Sequence, residues 1–232
     1  GSEGREGTDS EGRFAERAGW STAAPEGGGS DRNQPSSVTR WVKVPKRGNF
    51  GGVVARMDDD NKYRGWDVWL ENDRIGMHII NAWDEDAAKV VSKTPLEPNK
   101  WYQVTVTYDG SSKAAGMKIY LNGKPEAVDV QRDQLKSTIK TQVPLKIGQR
   151  HTRRGARGLA LKDVKIFDRA LSPVDAQHLA KTPHIQQILA KPTEKRTPQE
   201  ANEIFDWWLT TFDQPYLDLA KNLEKLQQED AA

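Results

Sequence analysis

Two runs of alternating apolar and polar residues meet at Asn72-Asp73, between Arg64 and Trp83. Asn and Asp are turn formers, so the pattern predicts two antiparallel strands joined by a two-residue loop. Pairing outward sets Glu71 against Arg74, Leu70 against Ile75, Trp69 against Gly76, Val68 against Met77, Asp67 against His78 and Trp66 against Ile79. Trp66, Val68, Leu70, Ile75, Met77 and Ile79 then share an apolar face, which needs another layer to cover it. Asp67, Trp69, Glu71, Arg74, Gly76 and His78 share the other face. That mixture of acid, imidazole and indole suits either an ordinary solvated sheet surface or a sugar-binding one.

The pattern predicts further strands over 36–44, closed by Pro45, and over 51–57, 87–92, 101–108, 117–121, 126–130, 144–148 and 161–167. Asp109-Gly110 and Asn122-Gly123 supply turns, the second being a strong hairpin signal. About ten short strands with no intervening helix predict an all-β antiparallel two-sheet sandwich. Residues 1–37 are Gly-, Ser-, Glu-, Asp- and Arg-rich and are expected to form a flexible leader, with Phe14 and Trp20 as candidate docking points. The sandwich is expected over 38–181 and a helical tail over 182–232. Ser172-Pro173 predicts a helix start, and Thr197-Pro198-Gln199-Glu200 predicts a capping box. Pro215 should kink or break the following helix. Beyond it, Tyr216, Leu219, Leu223 and Leu226 form a narrow seam. It is expected to dock the tail on a neighbouring domain of a longer parent chain rather than on its own sandwich.

Composition narrows the classes. Of 232 residues, 35% are hydrophobic and 29% charged, so the core is modest and the surface heavily charged. A net charge of +2 does not point to nucleic acid. The absence of cysteine excludes disulfides, thiolate metal sites and a cysteine nucleophile. No apolar run approaches the roughly 20 residues of a membrane helix. No signal-peptide pattern is visible, and Gly1-Ser2 has the look of a cloning remnant, so a targeting segment is expected to have been cut away.

Val38-Thr39-Arg40-Trp41-Val42-Lys43, Trp101 to Gly110, Lys118 to Pro125, Leu145-Lys146-Ile147-Gly148 and Leu161 to Ser172 together resemble the laminin-G-like jelly roll of the concanavalin A-like lectin/glucanase superfamily. In that family a W-x-x-V-x-x-x-Y-D-G strand is followed by a Y-x-N-G hairpin and a closing strand ending R-A-L-S. The resemblance covers residues 36 to 180 and implies an antiparallel jelly-roll sandwich. A narrower resemblance links Gly65 to Trp83, Thr107 to Gly116 and Trp208 to Gln228 to the module within large exported multidomain proteins of planctomycete-type bacteria that also carry a haem-c domain. It implies an exported, periplasmic or cell-surface setting.

Glucanases of the superfamily set carboxylates at alternate positions on one strand to flank a glycosidic bond. No strand here carries that pattern, and Asp84-Glu85-Asp86 lies past a strand end, so no catalytic residue is assigned and no glycosidase activity is expected. No cofactor is assigned either. Asp58-Asp59-Asp60-Asn61 makes calcium the one candidate, and the isolated histidines offer no zinc spacing. The loop from Arg150 to Arg157 holds four arginines that could grip a sulfated or carboxylated glycan, or simply be solvated and mobile. The expected function is a non-catalytic carbohydrate-binding or adhesion module. The alternative is a structural spacer. Candidate sugar-binding residues are Asp67, Trp69, His78, Asn81, Trp83 and Arg150. Trp69 leads because Gly76 opposite it lets the indole lie flat with an open face. Asn81 and Trp83 follow core parity and can join only if the strand twists or bulges near its end.

Overall fold

The computed structural model describes residues 31–230. The leader expected over 1–37 lies outside the described residues as far as residue 30, and with it Phe14 and Trp20. Among the described residues eleven strands run in order. They are β1 (Ser36–Lys43), β2 (Phe50–Asp58), β3 (Arg64–Glu71), β4 (Arg74–Ala82), β5 (Asp86–Pro95), β6 (Trp101–Tyr108), β7 (Met117–Leu121), β8 (Lys124–Glu126), β9 (Val128–Asp133), β10 (Lys146–Ile147) and β11 (Ala160–Phe167). They form two antiparallel sheets: β11-β1-β6-β7-β8, and β10-β2-β3-β4-β5-β9.

The β3–β4 hairpin has the register expected from its alternation, residue for residue from Trp66–Ile79 to Glu71–Arg74. Asn72 and Asp73 take φ of 52° and 68°. Positive φ at both positions gives the loop a twist that matches the strands. Asp73 does more than turn. Its buried carboxylate accepts from the Gly48 and Asn49 amides at 2.8 and 2.9 Å, tying the β1–β2 loop to the hairpin.

The apolar faces of the two sheets meet in one core. Val54, Val68, Leu70, Ile75, Met77 and Ile79 come from one sheet; Val38, Val42, Val104, Val106 and Ile119 come from the other. Trp66, expected to be buried with Met77, is only half-buried and packs at the margin of this core. One position in β1 breaks the pattern. Arg40 pairs with Val104, shares the inward parity of Val38 and Val42, and is 1% exposed. Its guanidinium nitrogens have no hydrogen-bond partner among the described residues. Burial pushes its pKa down to about 9.

The described start of the chain is tied to the sandwich. Asp31 accepts from Thr138 Oγ1 and the Ile139 amide at 3.0 Å, and the Tyr108 hydroxyl donates to the Arg32 carbonyl.

The chain divides into two compact units after Pro173. The second holds α1 (Pro173–Leu189), α2 (Pro198–Phe212) and α3 (Gln214–Asp230). Thr197 and Glu200 form the expected capping box at the start of α2. Pro215 occupies the first turn of α3, so the break falls at Asp213, whose carboxylate accepts from the Tyr216 amide at 2.9 Å and caps the new helix. Leu219, Leu223 and Leu226 stand exposed on α3. Among the described residues no helix is long and apolar enough to cross a membrane.

Lys181 lies inside α1, so a cut there would leave half a helix. A chain ending at Ser172 keeps all eleven strands. It is expected to unfold cooperatively within a few degrees of the full chain by calorimetry. Aggregation or loss of the transition would make the helical unit part of the sandwich's stability.

Candidate functional site

The outer face of the six-stranded sheet carries the candidate residues, but it is covered rather than solvated. The segment after β10 folds back onto β2. The Gly52 amide donates to the Arg154 carbonyl at 2.8 Å, Gly148 N–H to Val53 O at 2.9 Å and Ala156 N–H to Gly148 O at 3.0 Å. Gly51 and Gly52 permit this approach. A Cβ on Gly51 would lie 2.5 Å from the Ala156 nitrogen, and one on Gly52 would lie 2.9 Å from the Gln149 backbone. Asp59 pins the loop from the β2 end, accepting from the Thr152 and Arg153 amides at 2.9 Å. Asp60 pairs with Arg153 at 2.6 Å. Two of the carboxylates considered for calcium, Asp59 and Asp60, thus face the basic loop. Among the described residues no three His, Asp or Glu side chains gather as a metal site.

Fixing the loop carries Arg150 into the sheet face. Its Nε donates to Asp67 Oδ2 at 2.7 Å, and His78 Nδ1 donates to Asp67 Oδ1 at 2.6 Å. Asp67, His78 and Arg150 are all buried. Burial opposes the charged carboxylate, yet the charges of Arg150 and His78 and their hydrogen bonds outweigh it and hold Asp67 below the ordinary carboxyl range. The guanidinium also stacks 4.1 Å from the Trp69 ring centre and lies 5.2 Å from that of Tyr63. This corrects the expectation for Trp69. It does sit opposite Gly76, but Arg150 occupies the face that was to be open, and Trp69 is 6% exposed. The arginine loop, read as either a glycan grip or a solvated segment, divides: Arg150 is buried, Arg153 is paired, and Arg154 and Arg157 are exposed.

The open indole belongs to Trp83, 37% exposed. Its place follows from an irregularity in the β4–β5 ladder, where Ile80 opposes Ala87 but Ala82 opposes Asp86. Asn81 is the extra residue. One insertion moves each following side chain to the other face, so Trp83 joins His78 and Ile80 despite its core parity. The Trp83 amide then donates to the Lys62 carbonyl at 2.9 Å. His78 meets the indole edge-on, with ring centres 5.7 Å apart. Lys89 and Arg132 approach the same ring at 5.7 and 5.4 Å, and Arg132 is itself paired with Asp84. Asn81, a candidate from sequence, is turned elsewhere: its amide donates to the Thr138 carbonyl at 2.6 Å.

The result is a cleft of about 210 Å³ lined by Tyr63, Trp69, His78, Ile80, Trp83, Arg150 and Arg154. Of the residues singled out from sequence, Trp69, His78, Trp83 and Arg150 line this cleft, and Asp67 lies behind its wall, bonded to Arg150 and His78. Tyr63, Ile80 and Arg154 complete it; Arg154 is read from the sequence only as one of the four arginines of the basic loop, and Tyr63 and Ile80 were missed. Ile80 carried a signal in its parity with His78. Tyr63 carried none, and the arginine-rich loop did not say which of its arginines would reach the cleft, because both Tyr63 and Arg154 arrive through positive-φ loop backbone, at φ of 60°.

Comparison with known proteins agrees with this architecture. A Laminin_G_3 profile of the concanavalin A-like lectin/glucanases superfamily matches residues 19–177. Among solved structures, the binding domain of Paraclostridial Mosquitocidal Protein 1 superposes with a TM-score of 0.50 at 17% identity, covering 66% of this chain and 38% of that one. A heptameric SAP-like pentraxin from Limulus polyphemus gives a TM-score of 0.46 at 19% identity, covering 63% of this chain and 70% of that one. The N,N-dimethylformamidase beta subunit of Paracoccus aminophilus is 32% identical over 79 residues, which are 33% of this chain and 10% of that subunit. The strand order, the outer-face cleft and the profile match over most of the sequence lead to one assignment: the chain belongs to the Laminin_G_3 family of the concanavalin A-like lectin/glucanases superfamily.

Proposed function

We propose that the sandwich is a non-catalytic carbohydrate-binding module of a larger exported protein, with its ligand in the Trp83 cleft. The observation that carries this reading is the partly exposed indole of Trp83 on the rim of a concave site whose other walls are Tyr63, His78 and two arginines. An indole face stacks on the C–H face of a sugar ring while polar neighbours take its hydroxyls. The cleft is smaller than the roughly 300–1,000 Å³ of drug-sized pockets, the scale of a single sugar ring. Glycoside hydrolysis calls for two carboxylates. Asp67 directs its oxygens at Arg150 and His78 instead, which supports a binding role.

A glycan array followed by calorimetric titration tests the reading, with calcium added in a parallel arm. Trp83→Ala is expected to weaken binding by about 1–3 kcal/mol, taking base-on-aromatic stacking as the scale, or roughly 5-fold to 150-fold. The fold should remain intact, because Trp83 lies at the surface. Unchanged affinity in the folded variant would remove the cleft from consideration.

The exposed seam of α3 favours a second role for the helical unit. Leu219 is 70% exposed and Leu223 and Leu226 more than half. Docking to a neighbouring domain of the parent protein would cover them. Absence of binding to any glycan by the folded chain would leave this spacer role as the reading.

A further inference from the structure

From the cation left unpaired on the cleft rim, we infer that the sugar bound there is acidic, with its carboxylate or sulfate paired to Arg154. The inference rests on the cleft being the glycan site and adds the class of ligand. The cations around the cleft differ in their partners. Arg150 pairs with Asp67, Arg132 with Asp84 and Lys89 with Glu71. Arg153, beside the cleft, pairs with Asp60. Arg154 lines the cleft and has no hydrogen bond or ion pair from its side chain among the described residues.

Its backbone is held, not loose. The Arg154 carbonyl accepts from Gly52, and its φ of 60° is a left-handed conformation that non-glycine residues seldom adopt without support. Its Cα is therefore anchored at the rim by the same bonds that seat Arg150. The anion of a ligand finds no competing charge at the wall. Asp67 is fully buried and its two oxygens are taken by Arg150 and His78. His78 Nε2, on the side of the ring away from Asp67, has no partner among the described residues and adds a second polar contact on the cleft wall. A planar guanidinium matches a carboxylate or sulfate with two parallel hydrogen bonds. The aromatic walls hold the ring, and Arg154 selects its charge.

The test is calorimetric titration of the full chain with three tetrasaccharides: a galacturonide carrying carboxylates, a sulfated galactan, and a neutral galactan. Titrations run at low and at moderate salt. At least one acidic tetrasaccharide should bind at least tenfold more tightly than the neutral one, and more weakly at higher salt. The carboxylated and sulfated arms distinguish the two sources of charge. Arg154→Gln should weaken the acidic ligand about tenfold, while Arg154→Lys keeps part of the affinity. The exposed position makes both variants safe for folding. Equal binding of the neutral and acidic ligands, unaffected by Arg154→Gln but lost in Trp83→Ala, would overturn the acidic class and leave the cleft reading standing. Binding of none of the three, or binding indifferent to Trp83→Ala, would overturn the cleft reading itself.

Discussion

Asp67→Asn should lower the unfolding free energy by about 3–5 kcal/mol, the range for breaking a buried ion pair by removing one partner. The carboxylate is fully buried and neutralises Arg150, itself 6% exposed, while accepting from His78. Asparagine keeps the shape but leaves the Arg150 cation in a dry site against a neutral amide. Against a typical total of 5–15 kcal/mol, that loss brings the sandwich near its margin. Urea unfolding followed by tryptophan fluorescence measures it. The pH dependence gives a second readout. Asp67 is held below the ordinary carboxyl range in the folded chain, so its contribution is present above the unfolded pKa of about 3.9 and is lost as pH falls through the lower folded value. The native chain should therefore show an acid-side loss of stability that is smaller in Asp67→Asn. The double variant Asp67→Asn, Arg150→Met should recover part of the loss, because no charge is then left alone. A loss below about 1 kcal/mol, with no change in the acid limb, would show that water reaches the cluster.

Arg40→Met should act in the opposite direction, raising stability by about 1–4 kcal/mol, the range for replacing buried ions with apolar side chains of similar volume. Arg40 points between the sheets, its three guanidinium nitrogens have no partner among the described residues, and burial alone lowers its pKa to about 9, far below the ordinary arginine range. A drop of that size sets about 5 kcal/mol against the charged form. Methionine has a similar unbranched stem and adapts to irregular space. Each kcal/mol gained should appear as roughly 2–4 °C in Tm. The sign with pH follows from the depressed folded value. Below pH 9 the arginine is charged in both states and the penalty is constant. Above about 9 the unfolded chain holds the proton more tightly than the folded one, so native stability gains from this group as pH rises. Tyr108 and Tyr120 are pushed upward by burial and act in the other direction there, so the informative quantity is the difference between variant and native chain. The advantage of Arg40→Met should shrink above pH 9. A destabilised Arg40→Met would mean that the guanidinium has a partner in solution.

Local information was enough for the strands and for the hairpin register. Alternation has a period of two, and a slip of one residue would place Val68, Leu70, Met77 and Ile79 outside the core, so the pairing was determined by where the apolar side chains must go. The capping box at Thr197 and the two-residue loops at Asn72-Asp73 and Asn122-Gly123 were legible for the same reason: their chemistry acts over two to four residues. The neighbours Asp67 and His78 could be read from that register. What covers them could not, because Arg150 reaches Asp67 across 83 positions of sequence. Its approach depends on Gly51 and Gly52 clearing space under a loop whose anchor, Asp59, looked like any solvated acid. Trp69 and Trp83 exchanged roles on equally non-local grounds. A guanidinium from the loop closed over one indole, and a single inserted residue, Asn81, turned the other out of the core parity and into the cleft. Periodicity determined which residues form each face of the sheet. Tertiary packing decided which of those faces is dry, which ring stays open and which arginine keeps its charge available, because these depend on distances between segments that no local pattern encodes.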